Sequence, residues 1–189
     1  STLPVRMQEA RAFDITLTVS NFESLTALTK LKERPSFHLK IDTGMHRQGF
    51  LPSQTQQLIH FLKSRKLVPQ GIYTHFASKD WGYPAYTELQ FSQFQKILAS
   101  VERAGLKNLL RHAAASDSTL LFPKTRLDMV RVGMALYGYW PSWVAKVKHP
   151  PRMHLKPVLT WKTTVSEAKE IPAGSYVGYD LTERVSRKT

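Results

Sequence analysis

Lys40 and Asp42 stand two residues apart in F-H-L-K-I-D-T-G-M-H-R-Q-G-F (37–50), a run that continues into Met45 and Arg47. A lysine taken out of water needs an anionic partner or loses its charge. The plain reading is an ion pair of Lys40 with Asp42 or a glutamate. Arg47 offers a planar fork suited to a carboxylate. Farther along, His75 closes G-I-Y-T-H, Ser116 follows H-A-A-A, and Arg131 lies in the apolar run M-V-R-V-G-M. A histidine at a strand end is ordinarily a structural hydrogen-bonding residue, a serine at that position a helix cap, and a buried arginine half of a salt bridge. A second set of roles opens if all these positions share one end of a barrel. His75 would then be an acid–base or orienting group. Ser116 and Gly133-Met134 would follow two successive strands, where barrels hold phosphate with backbone amides and a helix N-terminus. Tyr179, in S-Y-V-G-Y-D-L, is by itself an aromatic on a strand; a phenol titrating near pH ~10 needs cationic neighbours to act as a base.

The elements that would position these groups follow from periodicity. Leu39 and Ile41 alternate with His38, Lys40 and Asp42, which predicts a strand with an apolar outer face and a charged face toward a barrel interior. Thr43-Gly44 ends it. Phe13–Val19, Gly71–His75, Leu109–Ala115 and Asp128–Gly133 read as four more strands. Between them lie a helix with Leu25, Leu28 and Leu31 on one face, a second with Leu58, Phe61 and Leu62 ending near Lys66, and a long third with Phe91, Phe94, Leu98 and Val101, closed by Gly105. Ser20/Glu23 and Ser53/Gln56 have the spacing of capping boxes. A loop is expected over 76–86. Strands alternating with helices argue for βα units and a parallel sheet. The fold class is therefore α/β. Residues 140–151 read as a linker, and Leu155–Val165 and Ser175–Tyr179 as strands joined by a turn at Pro172-Ala173-Gly174.

The run L-K-I-D-T-G-M-x-R-x-G-F resembles the alanine racemases, enzymes that use pyridoxal 5'-phosphate (PLP). T-H-F-A-x-x-D around His75, the serine after H-A-A-A, R-V-G-M and V-G-Y extend the resemblance over nearly the whole chain. It implies the last five strands of a partial (β/α)8 TIM barrel in residues 1–150 and the start of a C-terminal β-domain in 151–189. The first three strands and the lysine that forms the Schiff base would lie upstream of Ser1, so Lys40 would not be that lysine. The implied reaction interconverts L- and D-alanine by removing the α-proton of an alanine–PLP Schiff base and returning one on the other face, supplying D-alanine for peptidoglycan. Two bases are needed: the upstream lysine and Tyr179, offered to the opposite subunit of a homodimer. His75 would lie beside the cofactor ring and orient the tyrosine. Arg131 would donate to the pyridine nitrogen while keeping its own proton, which weakens the electron sink and disfavours transamination. Arg47, with Met45, would meet substrate or the cofactor's phenolic oxygen. In many members the lysine matching Lys40 is carbamylated and holds this arginine, a modification open to Lys40. Ser116, Gly133 and Met134 would hold the phosphate; Ala115 stands where the family usually has asparagine.

The bulk numbers agree with one cored domain. The chain has 189 residues, no cysteine and a net charge of +13. That charge raises nucleic-acid or membrane-surface binding. The basic residues, however, are scattered, and the densest group, 146–156, is broken by prolines, so neither partner is expected and no metal site is read. The expected location is cytoplasmic. Two rival functions remain: a PLP racemase of serine or of many amino acids, and a non-enzymatic basic binding domain, which a salt-dependent nucleic-acid titration would reveal. The chain on its own is expected to be inactive.

Overall fold

In a computed structural model of the chain, residues 4–77, 83–148 and 153–189 are described. Residues 78–82 of the expected 76–86 loop, with the aspartate of the T-H-F-A-x-x-D run, and Pro150-Pro151 lie outside them.

The chain divides into two compact units, residues 1–158 and 159–189. The first holds helix α1 (Met7–Ala12) and then five βα repeats' worth of strand: β1 (Leu17–Val19), β2 (Phe37–Lys40), β3 (Gly71–Tyr73), β4 (Leu110–Ala115) and β5 (Met129–Arg131). All five are parallel and hydrogen-bonded in the order of the sequence, so each crossover brings the chain to the next position in one direction. That is the α/β sheet of an open barrel segment. The connecting helices are α2 (Phe22–Thr29), α3 (Thr55–Ser64), α4 (Pro84–Arg103) and α5 (Ser116–Leu121).

The period-two alternation decides which face is which. Leu17, Val19, Phe37, Leu39, Ile41, Ile72 and Ala113 point outward and are buried under the helices. Leu25 and Leu28 of α2, Leu58 and Leu62 of α3, and Phe91, Phe94, Ile97 and Val101 of α4 cover them. Removing one such side chain, Phe94 for example, would cost about 3–5 kcal/mol through lost transfer energy and the cavity left behind. The other face of the sheet carries Thr18, His38, Lys40, Tyr73, His112 and Arg131.

Local chemistry differs from the expected pattern at several ends. Helix α2 is capped by Asn21, whose Oδ1 accepts from the Ser24 N–H at 2.8 Å, rather than by a Ser20/Glu23 box. Ahead of α3 the expected Ser53/Gln56 box gives way to a 3-10 turn, Pro52–Gln54, in which the Gln54 side chain accepts from the Leu51 N–H at 2.9 Å. Proline at the start of that turn fixes its φ and makes Gln54 the residue that reaches back. Helix α4 ends as expected, with Gly105 at φ +89°. The 140–151 linker contains helix α6 (Trp143–Lys148). Ser142 accepts from the Ala145 N–H at 3.1 Å and donates to Asp117 at 2.7 Å, and Ala145 is fully buried. At the base of β4, Arg111 donates to both oxygens of Asp128 at 2.8 Å each, which holds that carboxyl down to about 2.

In the second unit the turn at Ala173-Gly174 forms, with Gly174 at φ +89°. The strand expected over 155–165 does not form; residues 153–165 have no regular structure in the two units that share them. The strand expected over 175–179 is only β6 (Tyr176–Val177). It pairs antiparallel with a strand the sequence pattern missed, β7 (Glu183–Arg184). No helix among the described residues is long and apolar enough to cross a membrane.

Candidate active site

The inner face of the sheet gathers its polar groups around Arg131. One guanidinium nitrogen, Nη1, lies 2.7 Å from His112 Nδ1. The other, Nη2, donates to the carbonyls of Thr74 at 2.9 Å and Ala113 at 3.1 Å, and lies 3.2 Å from His75 Nδ1. The guanidinium also lies over the Tyr73 ring, 4.8 Å from its centroid, and Tyr73 stacks on His112 at 4.6 Å. The bland salt bridge is thus replaced by carbonyls, imidazoles and an aromatic face: among the described residues Arg131 pairs with no carboxylate.

Arginine has only donors, so these contacts assign the histidine tautomers. His112 must accept at Nδ1 and carry its proton at Nε2. Its Nε2 lies 2.9 Å from His38 Nδ1, so His38 accepts there and carries its proton at Nε2. His75 likewise accepts at Nδ1 and keeps an Nε2 proton to give. Burial, and then the charge of Arg131, push His112 down to about 3 and His75 down to about 4, with Lys40 and Arg47 adding to the second. Burial lowers His38 too. Near neutral pH all three are uncharged. The His38 ring crosses to His112 over Gly71; a Cβ on that glycine would lie 2.7 Å from His38 Cε1, so the missing side chain makes the crossing possible.

The loop after β2 has a different organiser. Asp42 Oδ1 accepts from the backbone N–H of Gly44, Met45 and His46 at 3.0, 2.9 and 3.0 Å. Burial alone would raise the carboxyl, but these three amides hold it below its ordinary range. Asp42 therefore shapes the loop instead of pairing with Lys40, and the expected Lys40–Asp42 bridge is absent. Lys40, 5% exposed, makes no ion pair among the described residues. Burial and the charges of Arg47 and Arg131 lower its pKa against the pull of Asp42. Its Nζ lies 6.0 Å from the Tyr73 ring centroid. Met45 is half-buried and Arg47 exposed in the same loop.

Ser116 does not cap α5. The helix begins at Ser116 itself, and the buried hydroxyl accepts from the N–H of Gly133 at 2.9 Å and of Ala135 at 3.4 Å. It thus joins the ends of β4 and β5. Gly133 and Met134 are exposed, and nothing lies within 4 Å of where a Gly133 Cβ would be. Tyr179 lies in the second unit. It sits in a 3-10 turn after β6 rather than on a strand, with 96% of its surface exposed.

Sequence reasoning missed His112, Tyr73 and His38 as members of the Arg131 cluster. Their signal was parity: Tyr73 precedes His75 by two and His38 precedes Lys40 by two, so each pair shares a strand face. Which rows meet across strands depends on register, which no single strand encodes. Among the described residues no cluster of three or more His, Asp or Glu could hold a metal ion.

A parallel βα sheet with guanidinium, imidazole and serine groups gathered at its strand ends defines an α/β barrel segment. The family described as alanine racemase, N-terminal domain, matches residues 2–141, and the chain belongs to it. The chain is 35% identical to the alanine racemase of Methanococcus maripaludis over 182 residues, covering 93% of this chain and 48% of that one. It is 36% identical to that of Carboxydothermus hydrogenoformans over 194 aligned positions, covering all of this chain and 51% of that one. The crystal structure of the Bacillus anthracis alanine racemase with bound L-Ala-P superposes with a TM-score of 0.82 at 30% identity, over all of this chain and 50% of that one. The Streptomyces lavendulae alanine racemase gives 0.80 at 30% identity, over 97% of this chain and 50% of that one. The chain spans about half the length of the curated relatives it matches.

Proposed function

We propose that this chain is the later part of the barrel, residues 1–150, and the opening of the β-domain, 151–189, of a PLP-dependent alanine racemase that acts as a homodimer in the cytoplasm. The observation that carries the reading is the Arg131 cluster: a half-buried guanidinium that faces neutral imidazoles and carbonyls and, among the described residues, no carboxylate.

The residues present fit the cofactor. Ser116 Oγ and the amides of Gly133 and Ala135 already meet around one hydroxyl, beside open space at Gly133. A phosphate needs such donors. Ser116, Gly133 and Met134 would hold it, Arg131 the pyridine nitrogen, and His75 the side of the ring. When bound, PLP supplies the electron sink that acidifies the α-proton of an amino acid.

The chain's own residues do the rest. Arg131 binds as a donor and keeps its proton, so it limits that sink. His75, neutral with its proton on Nε2, orients the phenol of Tyr179 from the opposite subunit. Tyr179 takes or returns the α-proton on one face, and a lysine from a preceding segment serves the other. Arg47 receives the substrate carboxylate or the phenolic oxygen, with Met45 packing beside it. The lowered pKa of Lys40 favours the neutral amine. That is the form which attacks carbon dioxide, losing one proton as the N–C bond forms, to give a carbamate that would restrain Arg47. Intact-mass analysis in bicarbonate would test the carbamate.

The function is tested by expressing the chain within its full coding sequence and assaying L- and D-alanine, with serine alongside. Racemisation of alanine with a much lower rate on serine is expected. Preference for serine would move the substrate, and no racemisation of any amino acid would end the reading.

A further inference from the structure

We propose that Gln90 is a positioning residue that locks together the two loops bearing Arg47 and His75. What those loops do rests on the racemase reading; how they are held does not.

Arg47 and His75 belong to loops after different strands, β2 and β3, and no hydrogen bond joins the two side chains among the described residues. Both must nonetheless face one ligand. Gln90 lies on α4 and is fully buried. Its Oε1 accepts from the N–H of Ala77, two residues after His75, at 3.0 Å. Its Nε2 donates to Thr43 Oγ1, at the start of the Arg47 loop, at 3.4 Å. Thr43 Oγ1 lies 2.7 Å from Thr74 Oγ1, which ties the strand ends just below. One helical turn before Gln90, the Tyr86 hydroxyl donates to the Gly44 carbonyl at 2.8 Å. Residues four apart share a helix face, so a single face of α4 grips the Arg47 loop twice and the His75 loop once.

The amide chemistry is specific. One side chain must accept from a backbone N–H and also engage a hydroxyl in a dry site. A buried glutamine does both. Leucine has similar bulk and does neither, so the Ala77 N–H would be left without its partner. Glutamate keeps both links, because burial favours its neutral acid, whose carbonyl oxygen accepts from the Ala77 N–H while its O–H donates to Thr43 Oγ1. Displacing a positioning group by about 1 Å can cost as much as a hundredfold in rate, so loosening one loop against the other should register in substrate handling.

The test uses the full-length protein with Gln90→Leu, Gln90→Glu and Thr43→Val. KM and kcat for L-alanine are measured beside hydrogen–deuterium exchange of peptides covering the Asp42–Phe50 and Thr74–Ala77 segments. Gln90→Leu is expected to raise KM about tenfold, with kcat changed less, and to speed exchange in both segments. Gln90→Glu should recover most of both effects. Thr43→Val, which cuts the link from the other side, should raise KM and speed exchange even if the leucine variant does not fold. Unchanged KM and exchange in folded Gln90→Leu or Thr43→Val, or equal damage from leucine and glutamate, would overturn the proposal. If the wild-type protein does not turn over alanine, the racemase reading fails by itself, and the exchange comparison of leucine with glutamate still decides the role of Gln90.

Discussion

Arg131 Nη1 meets His112 Nδ1 at 2.7 Å, and His112 passes its other nitrogen to His38 at 2.9 Å. The strand-borne arginine is therefore held from the side by a row of neutral rings, leaving Nη2 to the Thr74 and Ala113 carbonyls and His75. A lysine could supply one charge here but not a fork that reaches β3 and β4 together. In the full-length enzyme, Arg131→Lys should lower kcat for alanine by at least about a hundredfold while cofactor retention falls by less. Steady-state kinetics and bound-PLP absorbance check this. Unchanged turnover would remove Arg131 from the pyridine nitrogen.

The same row makes the fold acid-sensitive in a defined window. His112 and His75 titrate at about 3 and about 4 in the folded chain, against an ordinary value of 6.5. Between those values the unfolded chain binds more protons than the folded one, so stability falls as pH falls. The thermal midpoint should be flat above about pH 7, then decline from about pH 6.5 through about pH 4 toward about pH 3. His112→Gln, whose amide oxygen can still accept from Arg131, should flatten that decline. An identical slope in the variant would show that other groups set it.

Much of the site was legible because barrel strands write their two faces in alternation. Leu39 and Ile41 pointed out, and Lys40 pointed in, from sequence alone. The apolar stripe of α4 was equally plain, as was Gly105 beyond its end. What could not be read depended on pairing between distant segments. The role of Ser116 as acceptor for Gly133 requires knowing that β4 and β5 are neighbours. Helix α6 was hidden by flanking prolines and lysines, although its cap Ser142 and its buried Ala145 lie within the short run. Asn21 displaced Ser20 as a cap by one position, a choice set by where the strand ends. Strand β7 is two residues long and has no periodicity to detect.

Gly49 should tolerate no side chain. It has φ +128°, and a Cβ there would lie 2.6 Å from Asp42 N and 3.0 Å from the Lys40 carbonyl oxygen. Beside it, Asp42 N donates to Phe50 O and Phe50 N donates to Lys40 O, each at 2.9 Å, closing the Arg47 loop back on β2. Gly49→Ala should destabilise the protein by about 3 kcal/mol. Denaturant unfolding measures it, and an unshifted midpoint would contradict the close approach.

The 189-residue chain alone should neither racemise alanine nor form a covalent adduct with PLP. Its sheet has two strand edges, β1 and β5, with no further strand paired to them among the described residues, and open edges pair or aggregate. A closed barrel takes about eight strands, so the site groups are incompletely preorganised. Borohydride reduction with PLP, followed by peptide mass spectrometry, reads the outcome. A stoichiometric adduct on Lys40, or turnover by this chain alone, would reverse the assignment of the lysines.

Tyr179 provides the sharpest test of direction. It is almost fully exposed in a turn where Asp180 has φ +61°. A large aromatic left in solvent serves recognition only if another surface uses it, and the proposed user is the opposite subunit's site. If the phenol is the base for one face of alanine and a lysine serves the other, Tyr179→Phe should damage the two directions unequally. The direction that starts from L-alanine should lose its proton-transfer step, and exchange of the α-proton of L-alanine in deuterated buffer should fall by at least about a hundredfold. Exchange from D-alanine should fall less, because the lysine still abstracts on its own face. The ratio of the two exchange rates is the deciding quantity, since a general loss of packing or dimerisation would lower both together. Wild-type exchange of L-alanine in the variant would exclude Tyr179 as that base.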